Sequence, residues 1–269
     1  MNEMRFFPLR YTPSGYVVLL PGDRLSQVVD ALIRTDYPEE FCLSPSFDPR
    51  FIAELMAAGF LVMSEKVEDP AAEAAAEETS VEGASAADSQ GRKGPLLRYI
   101  LLPKHHLERS VLFFPDLHAG KTIKRLLPRY ELRAGVEFDR ILNRCIEVHG
   151  GDWLTPPLQE AFRALGGLKN AGVRPYSFGL YREGILRAGE FGVVSGGVYT
   201  SYSGYYDENS AGMVQMILTG GYLRDRGFAF WDLGMPLAYK ERFGARLLDR
   251  REFTELFRSA AAISPALEG

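Results

Sequence analysis

The sequence predicts a mixed α/β (α+β) fold, with a small N-terminal α+β domain ahead of a larger sheet-based one. Three observations predict it. First, Tyr176–Tyr181, Ile185–Val194 and Gly197–Tyr206 alternate or run apolar with glycines between them, the pattern of a three-strand meander. Second, Ala211, Val214, Ile217, Leu218 and Tyr222 recur at spacings of three and four, one face of a long helix. Third, Phe228–Leu233 is a short apolar strand with a carboxylate, Asp232, at its end. Open α/β sheets bind ligands where strand ends separate, so chemistry is expected at Asp232.

Taken in order, Val17–Leu20 reads as a strand closed by Pro21-Gly22-Asp23, and Leu25–Ile33 has helical spacing. Asp48-Pro49 opens a second helix over Phe51–Ala58, Gly59 ends it, and Phe60–Met63 is a strand. These elements make residues 1–68 the first part of the N-terminal domain. Residues 69–94 are rich in Ala, Glu, Ser and Gly and hold no aromatic residue. Such a segment buries too little apolar area to offset its ordering entropy, so a disordered insertion is expected. Leu96–Leu102 and Arg109–Phe114 read as strands and Lys121–Leu127 as a short basic helix; residues 95–137 are expected to complete the N-terminal domain. Residues 138–260 form the larger domain. Phe138, Ile141, Leu142, Cys145 and Ile146 give a helix its inward face. Thr155-Pro156 opens the next helix with a capping hydroxyl and a first-turn proline. Asn209 or Ser210 is placed to cap the long helix, Gly227 to stop it, and Asp249 with Glu252 to form a capping box on the last one.

Lys and Arg number 31 against 35 Asp and Glu, a net charge of −4, so the whole chain does not advertise nucleic-acid binding. The basic residues are local: Lys121, Lys124, Arg125, Arg129 and Arg133, with Lys104, His105, His106 and Arg109 nearby, and a second run of Arg242, Arg246, Arg250 and Arg251. Cys42 and Cys145 lack metal-ligand spacing and read as buried apolar residues. The four histidines have no metal or triad spacing, and His105-His106 is expected at the surface. No signal peptide or long apolar run is present, so no membrane, a reduced cytoplasm and a monomer are the expectations.

Residues 100–257 resemble the leucyl/phenylalanyl-tRNA–protein transferases. That family carries a Gly-Glu-Ser-Met-Phe-Ser strand, an Ala-Ser-Lys helix start, an apolar strand ending Asp-Cys-Gln, a Ser-Leu-Gly-Ala turn and an Ile-Pro-Arg before its last helix. The matching segments are Ser201–Tyr206, Ala211–Met213, Gly227–Gly234, Arg242–Ala245 and Leu248–Arg250. Arg109–Leu127 also resembles the family's Arg-x-Val-Leu, His, Ser-Leu-Arg-Lys segment. The resemblance implies an N-acetyltransferase-like C-terminal domain, and the layout from 138 onward agrees with it. Asn209-Ser210-Ala211-Gly212 is no pyrophosphate turn, which argues against an acyl-coenzyme A donor.

The family moves Leu or Phe from an aminoacyl-tRNA to the N-terminal amine of a protein or peptide beginning with Lys or Arg, marking it for degradation. No cofactor is implied, because the donor ester is already activated. The amine's proton asks for a carboxylate, the two substrates must be held together, and the oxyanion needs donors. The resemblance makes Asp232 that carboxylate, beside Tyr202 and Ser203. It gives Trp153, Tyr205 and Phe230 to the aminoacyl-adenosine and Arg109, Lys121, Lys124, Arg125 and Arg129 to the tRNA. A turn-forming Asp232, a core Trp153 and a merely solvated basic helix are the alternatives. Tyr202 stands where the family has Glu, Gly234 where it has Gln, Met213 where it has Lys, and Tyr176-Ser177-Phe178-Gly179 where it has His-Ser-x-Glu. Two further readings stay open: a ligase using another amino acid or acceptor, and an inactive homologue that binds tRNA or peptide.

Overall fold

The computed structural model describes residues 9–68 and 97–267. The expected insertion at 69–94 lies outside the described residues. The N-terminal elements are α1 (Leu25–Arg34), α2 (Pro49–Ala57), β1 (Leu61–Glu68) and β2 (Leu97–Lys104). Helix α2 starts as the sequence predicts, with the Asp48 carboxylate accepting the Phe51 N–H at 2.9 Å ahead of Pro49. Val17–Leu20 is not a strand: Val17 and Val18 make only isolated bridges, to Tyr11 and Leu43.

Strands β1 and β2 pair antiparallel from Leu61↔Lys104 to Glu68↔Leu97. A lone two-stranded ribbon is marginal in water. Here it is supported by one continuous core, in which Leu32, Phe51, Ile52, Leu55 and Val62 meet Ile141, Leu158, Phe162 and Phe191 of the larger unit.

The remaining strands are β3 (Glu108–Leu112), β4 (Glu131–Ala134), β5 (Arg174–Arg182), β6 (Ile185–Ser195), β7 (Val198–Tyr206), β8 (Phe230–Gly234) and β9 (Arg246–Asp249). They form one sheet in the order β4-β5-β6-β7-β8-β3-β9. The architecture is therefore mixed α/β around a large mixed sheet. Strands β3 and β4 correct the expected boundary at 137: both lie in this sheet rather than completing an N-terminal domain. Their distant partners, not their sequence neighbours, decide where they go.

Helices α3 (Lys121–Leu126), α4 (Phe138–His149), α5 (Pro156–Leu165), α6 (Ala211–Asp225), α7 (Ala238–Glu241) and α8 (Arg250–Ser259) complete the fold. The predicted capping box closes on α8, where Asp249 and Glu252 exchange hydrogen bonds. Two other predicted caps do not form. Ser210 precedes α6 at φ 69 without a side-chain hydrogen bond, and Thr155 gives its hydroxyl to Ser64 Oγ at 2.8 Å. Among the described residues no helix is long and apolar enough to cross a membrane.

Every neighbouring pair in the large sheet is antiparallel except β7–β8. A parallel pair needs a crossover, and α6 supplies it. The pair is short: Val198↔Phe230, Tyr199↔Trp231 and Thr200↔Asp232. Beyond Thr200, β7 continues to Tyr206 against β6 alone, while β8 continues to Gly234 against β3. The strands part there. A bulge sharpens the parting, because Phe191 faces Ser203 and Gly192 faces Ser201, leaving Tyr202 as the extra residue. Gly192 is required at this bulge: a Cβ would lie 2.2 Å from the Thr200 carbonyl oxygen.

Candidate functional site

The parting of β7 and β8 has polar groups on both faces. On the face covered by α8, Asp232 is fully buried and forms a two-pronged pair with Arg109 of β3. Arg109 Nε donates to Oδ1 at 2.7 Å and Nη2 to Oδ2 at 2.6 Å. The Thr200 hydroxyl donates to Oδ2 at 2.9 Å and the Gly234 N–H to Oδ1 at 3.0 Å. Each carboxylate oxygen thus accepts two hydrogen bonds. The Arg109 guanidinium lies 4.7 Å from the Phe253 ring centre. Asp232 was expected at an open cleft and Arg109 on tRNA; the structure corrects both, since each is the other's buried partner. The N-terminal ribbon closes this face, with the Val62 N–H donating to the Tyr202 hydroxyl at 3.1 Å.

On the face covered by α6, β6 carries a second carboxylate, Glu190, 7% exposed. Its neighbours across the sheet are Phe178 and Gly204. The Ser201 hydroxyl donates to Glu190 Oε1, and Trp231 Nε1 donates to Ser201 Oγ at 2.7 Å. This short chain spans the parting from β6 to β8. The Tyr199 hydroxyl faces the same carboxyl, buried and without a fully formed hydrogen bond. Burial pushes Glu190 up to about 7, with the Ser201 and Tyr199 hydroxyls opposing the shift. A carboxyl tuned to that range in a strand junction is a functional-site signature.

Lys240 of α7 closes the end of the site. It is buried, and Nζ donates to the Leu233 and Met235 carbonyls at 2.5 and 2.8 Å. Burial brings it down to about 8. Around it the apolar side chains of Met235, Leu237 and Tyr239 are exposed.

The other predicted site residues divide. Tyr202 and Trp153 come together, their rings stacked at 6.5 Å and 22°, with Phe162 edge-on to Tyr202 at 4.9 Å. Burial raises the Tyr202 hydroxyl above its ordinary value. Ser203 meets the Cys145 thiol beneath α4. Tyr205 and Phe230, expected to line an exposed adenosine site, are core residues at 3% and 0% exposed. Lys121, Lys124, Arg125 and Arg129 are exposed on and just after α3. In the second basic run Arg250 is internal, donating to the carbonyls of His105, Tyr37 and Glu39 at 3.0, 2.6 and 2.6 Å. His105 and His106 are also buried, not surface residues, and burial lowers them to about 3 and about 2. Both cysteines are buried, as expected.

Sequence reasoning missed Glu190, Ser201, Thr200 and Lys240. Glu190 had a signal available: it is the one carboxylate in the apolar strand Ile185–Ser195. The other three carry no local mark, since a hydroxyl at a strand position and a lysine in a short helix are ordinary.

The family model described as leucyl/phenylalanyl-tRNA protein transferase matches residues 111–258, which include β7, α6, β8 and the parting between the strands. A leucyl/phenylalanyl-tRNA–protein transferase of Stutzerimonas stutzeri is 29% identical over 154 residues, 55% of this chain and 66% of that one. One from Pseudomonas aeruginosa is 28% identical over 152 residues, with the same coverage. One from an Anaeromyxobacter species is 31% identical over 168 residues, 60% of this chain and 70% of that one. The chain thus spans just under two thirds of the length of the first two relatives. With more than half of its length matched by the family model, the chain belongs to the leucyl/phenylalanyl-tRNA protein transferase family.

Proposed function

We propose that this protein transfers the aminoacyl group of an aminoacyl-tRNA to the N-terminal amine of a protein or peptide. The observation that carries the reading is the three-residue parallel pairing of β7 and β8, which ends in a polar junction inside the family-matched region. We read the sheet as N-acetyltransferase-like, because that architecture uses such a junction to hold an acyl donor beside an amine.

In this reading the aminoacyl ester sits at the junction, and holding it against the amine supplies much of the rate. Asp232 is a positioning residue that ties β3, β7 and β8 together through Arg109, Thr200 and the Gly234 N–H. The Tyr202 hydroxyl accepts the Val62 N–H, so its own proton is available for a developing oxyanion. Ser203 stands beside it at the bulge. Trp153, stacked on Tyr202 and half-buried, offers its open edge to the terminal adenine. Lys121, Lys124, Arg125 and Arg129 face tRNA phosphates. The protein works as a cytoplasmic monomer without a cofactor.

The test is incubation with labelled aminoacyl-tRNAs of all amino-acid types and peptides of varied first residue. Label appearing on a peptide N-terminus supports transfer. Tight aminoacyl-tRNA binding with no label transferred to any peptide contradicts it and supports a binding protein.

A further inference from the structure

The carboxyl of Glu190 is an unusual group to enclose in an apolar strand. Its Phe178 neighbour lies in a cluster with Tyr176, Val194, Tyr199, Leu223 and Trp231, which would form a hydrocarbon wall without it. Deep enclosure of an acid costs free energy unless partners compensate. The compensation here is partial. Glu190 has one hydroxyl donor, Ser201, and the Tyr199 hydroxyl beside it is left without a full hydrogen bond. Lys240 acts on it as a nearby charge rather than a hydrogen-bond donor, its Nζ donating to two carbonyls.

The group is also approachable. Its cross-strand neighbour Gly204 is exposed, and a Cβ there would lie 3.5 Å from the Glu190 Cβ and 3.7 Å from its Cγ. Gly204 therefore puts no side chain against the stem of Glu190. A group reaching past Gly204 would meet an acceptor, Glu190, which takes one hydrogen bond from Ser201, and the Tyr199 hydroxyl, which has no full hydrogen bond.

We propose that Glu190 is the floor of a subsite for a hydrogen-bond-donating side chain, an amide or a cation, on the aminoacyl group. This rests on the transfer reading above, which puts the aminoacyl ester at the same junction. The hydrocarbon side chain of Leu or Phe would cover the carboxyl and leave it unpaired. A donor side chain would satisfy it, and a cation would pair with it as the carboxylate. Sites built to hydrogen-bond a group reject analogues lacking it far more strongly than apolar pockets reject a changed hydrocarbon.

The experiment measures binding of non-hydrolysable 3′-aminoacyl-adenosine amides carrying Gln, Lys, Arg, Leu, Met or Phe. The wild type should bind at least one of the Gln, Lys and Arg compounds more than about tenfold tighter than the Leu and Phe compounds. Glu190→Leu should reverse that order, and Ser201→Ala, which keeps the carboxyl, should weaken it without reversing it. If the wild type prefers Leu or Phe and Glu190→Leu does not change the order, the subsite is wrong while the transfer reading stands. If no compound binds the wild type, both fall.

Discussion

Asp232 and Glu190 stand on opposite faces of one strand junction and are satisfied to opposite degrees. Asp232 accepts four hydrogen bonds, two of them from a guanidinium, and is fully enclosed. Glu190 accepts one from Ser201, sits beside an unfilled tyrosine hydroxyl, and borders an exposed glycine. A carboxylate whose lone pairs are all used can organise a fold but has nothing left to offer a substrate. One that is enclosed and short of partners destabilises the empty protein, and what it lacks describes what it would bind. The acid that the sequence marks for chemistry is thus the more structural of the two.

The largest expected effect follows from that contrast. Asp232→Asn leaves Arg109 buried without a counter-charge, and breaking a buried pair from one side costs about 3–5 kcal/mol. Chemical denaturation should show the loss as a lower midpoint at unchanged slope. A variant as stable as the wild type would mean that the pair contributes little and that Asp232 is free for another task.

Glu190→Gln should move stability the other way, and with pH. The folded carboxyl titrates near about 7 instead of the ordinary 4.5, so the folded state holds its proton more tightly than the unfolded chain. Its favourable contribution is complete below pH 4.5 and is lost as pH rises through 7, a change on the order of 3 kcal/mol. The stability of Glu190→Gln relative to wild type should therefore rise between pH 4.5 and 7 and level off above. His105, lowered to about 3, acts in the opposite sense as the solution is acidified, but it is common to both proteins and cancels in the difference. A difference that does not vary with pH would show Glu190 to be better partnered than described.

The smallest effect belongs to the surface. Replacing Lys121, Lys124 and Arg125 with Ala should leave the unfolding midpoint nearly unchanged, because these side chains are exposed. The dependence of log tRNA affinity on log salt should flatten by about 2, one fraction of a counterion per lost phosphate contact. An unchanged slope would put the tRNA on another face.

Much of this molecule could be read from the sequence where the signal was periodic. The spacing of Phe138, Ile141, Leu142 and Cys145 gave α4, and Asp249 with Glu252 gave the cap of α8. What could not be read was adjacency. Nothing near Arg109 in the chain says that β3 inserts between β8 and β9, so its partner Asp232, 123 residues away, was invisible and Arg109 passed for a surface base. Tyr205 and Phe230 passed for binding aromatics for the same reason: the face a strand residue takes depends on a register, and at β7 on a bulge, that only the assembled sheet fixes. Glu190 was legible as an anomaly, a lone acid among apolar neighbours, but its meaning required Ser201 and Trp231 from two other strands.

The claim that these two carboxylates divide structure from selection is tested most directly by single-turnover transfer from aminoacyl-tRNAs charged with Gln, Lys, Arg, Leu or Phe. Wild type, Asp232→Asn and Glu190→Gln are compared at a temperature where all three are folded. Asp232→Asn should keep the wild-type ranking of donors, and Glu190→Gln should flatten it. A Glu190→Gln protein with the wild-type ranking, beside a folded Asp232→Asn protein that transfers nothing, would contradict the claim.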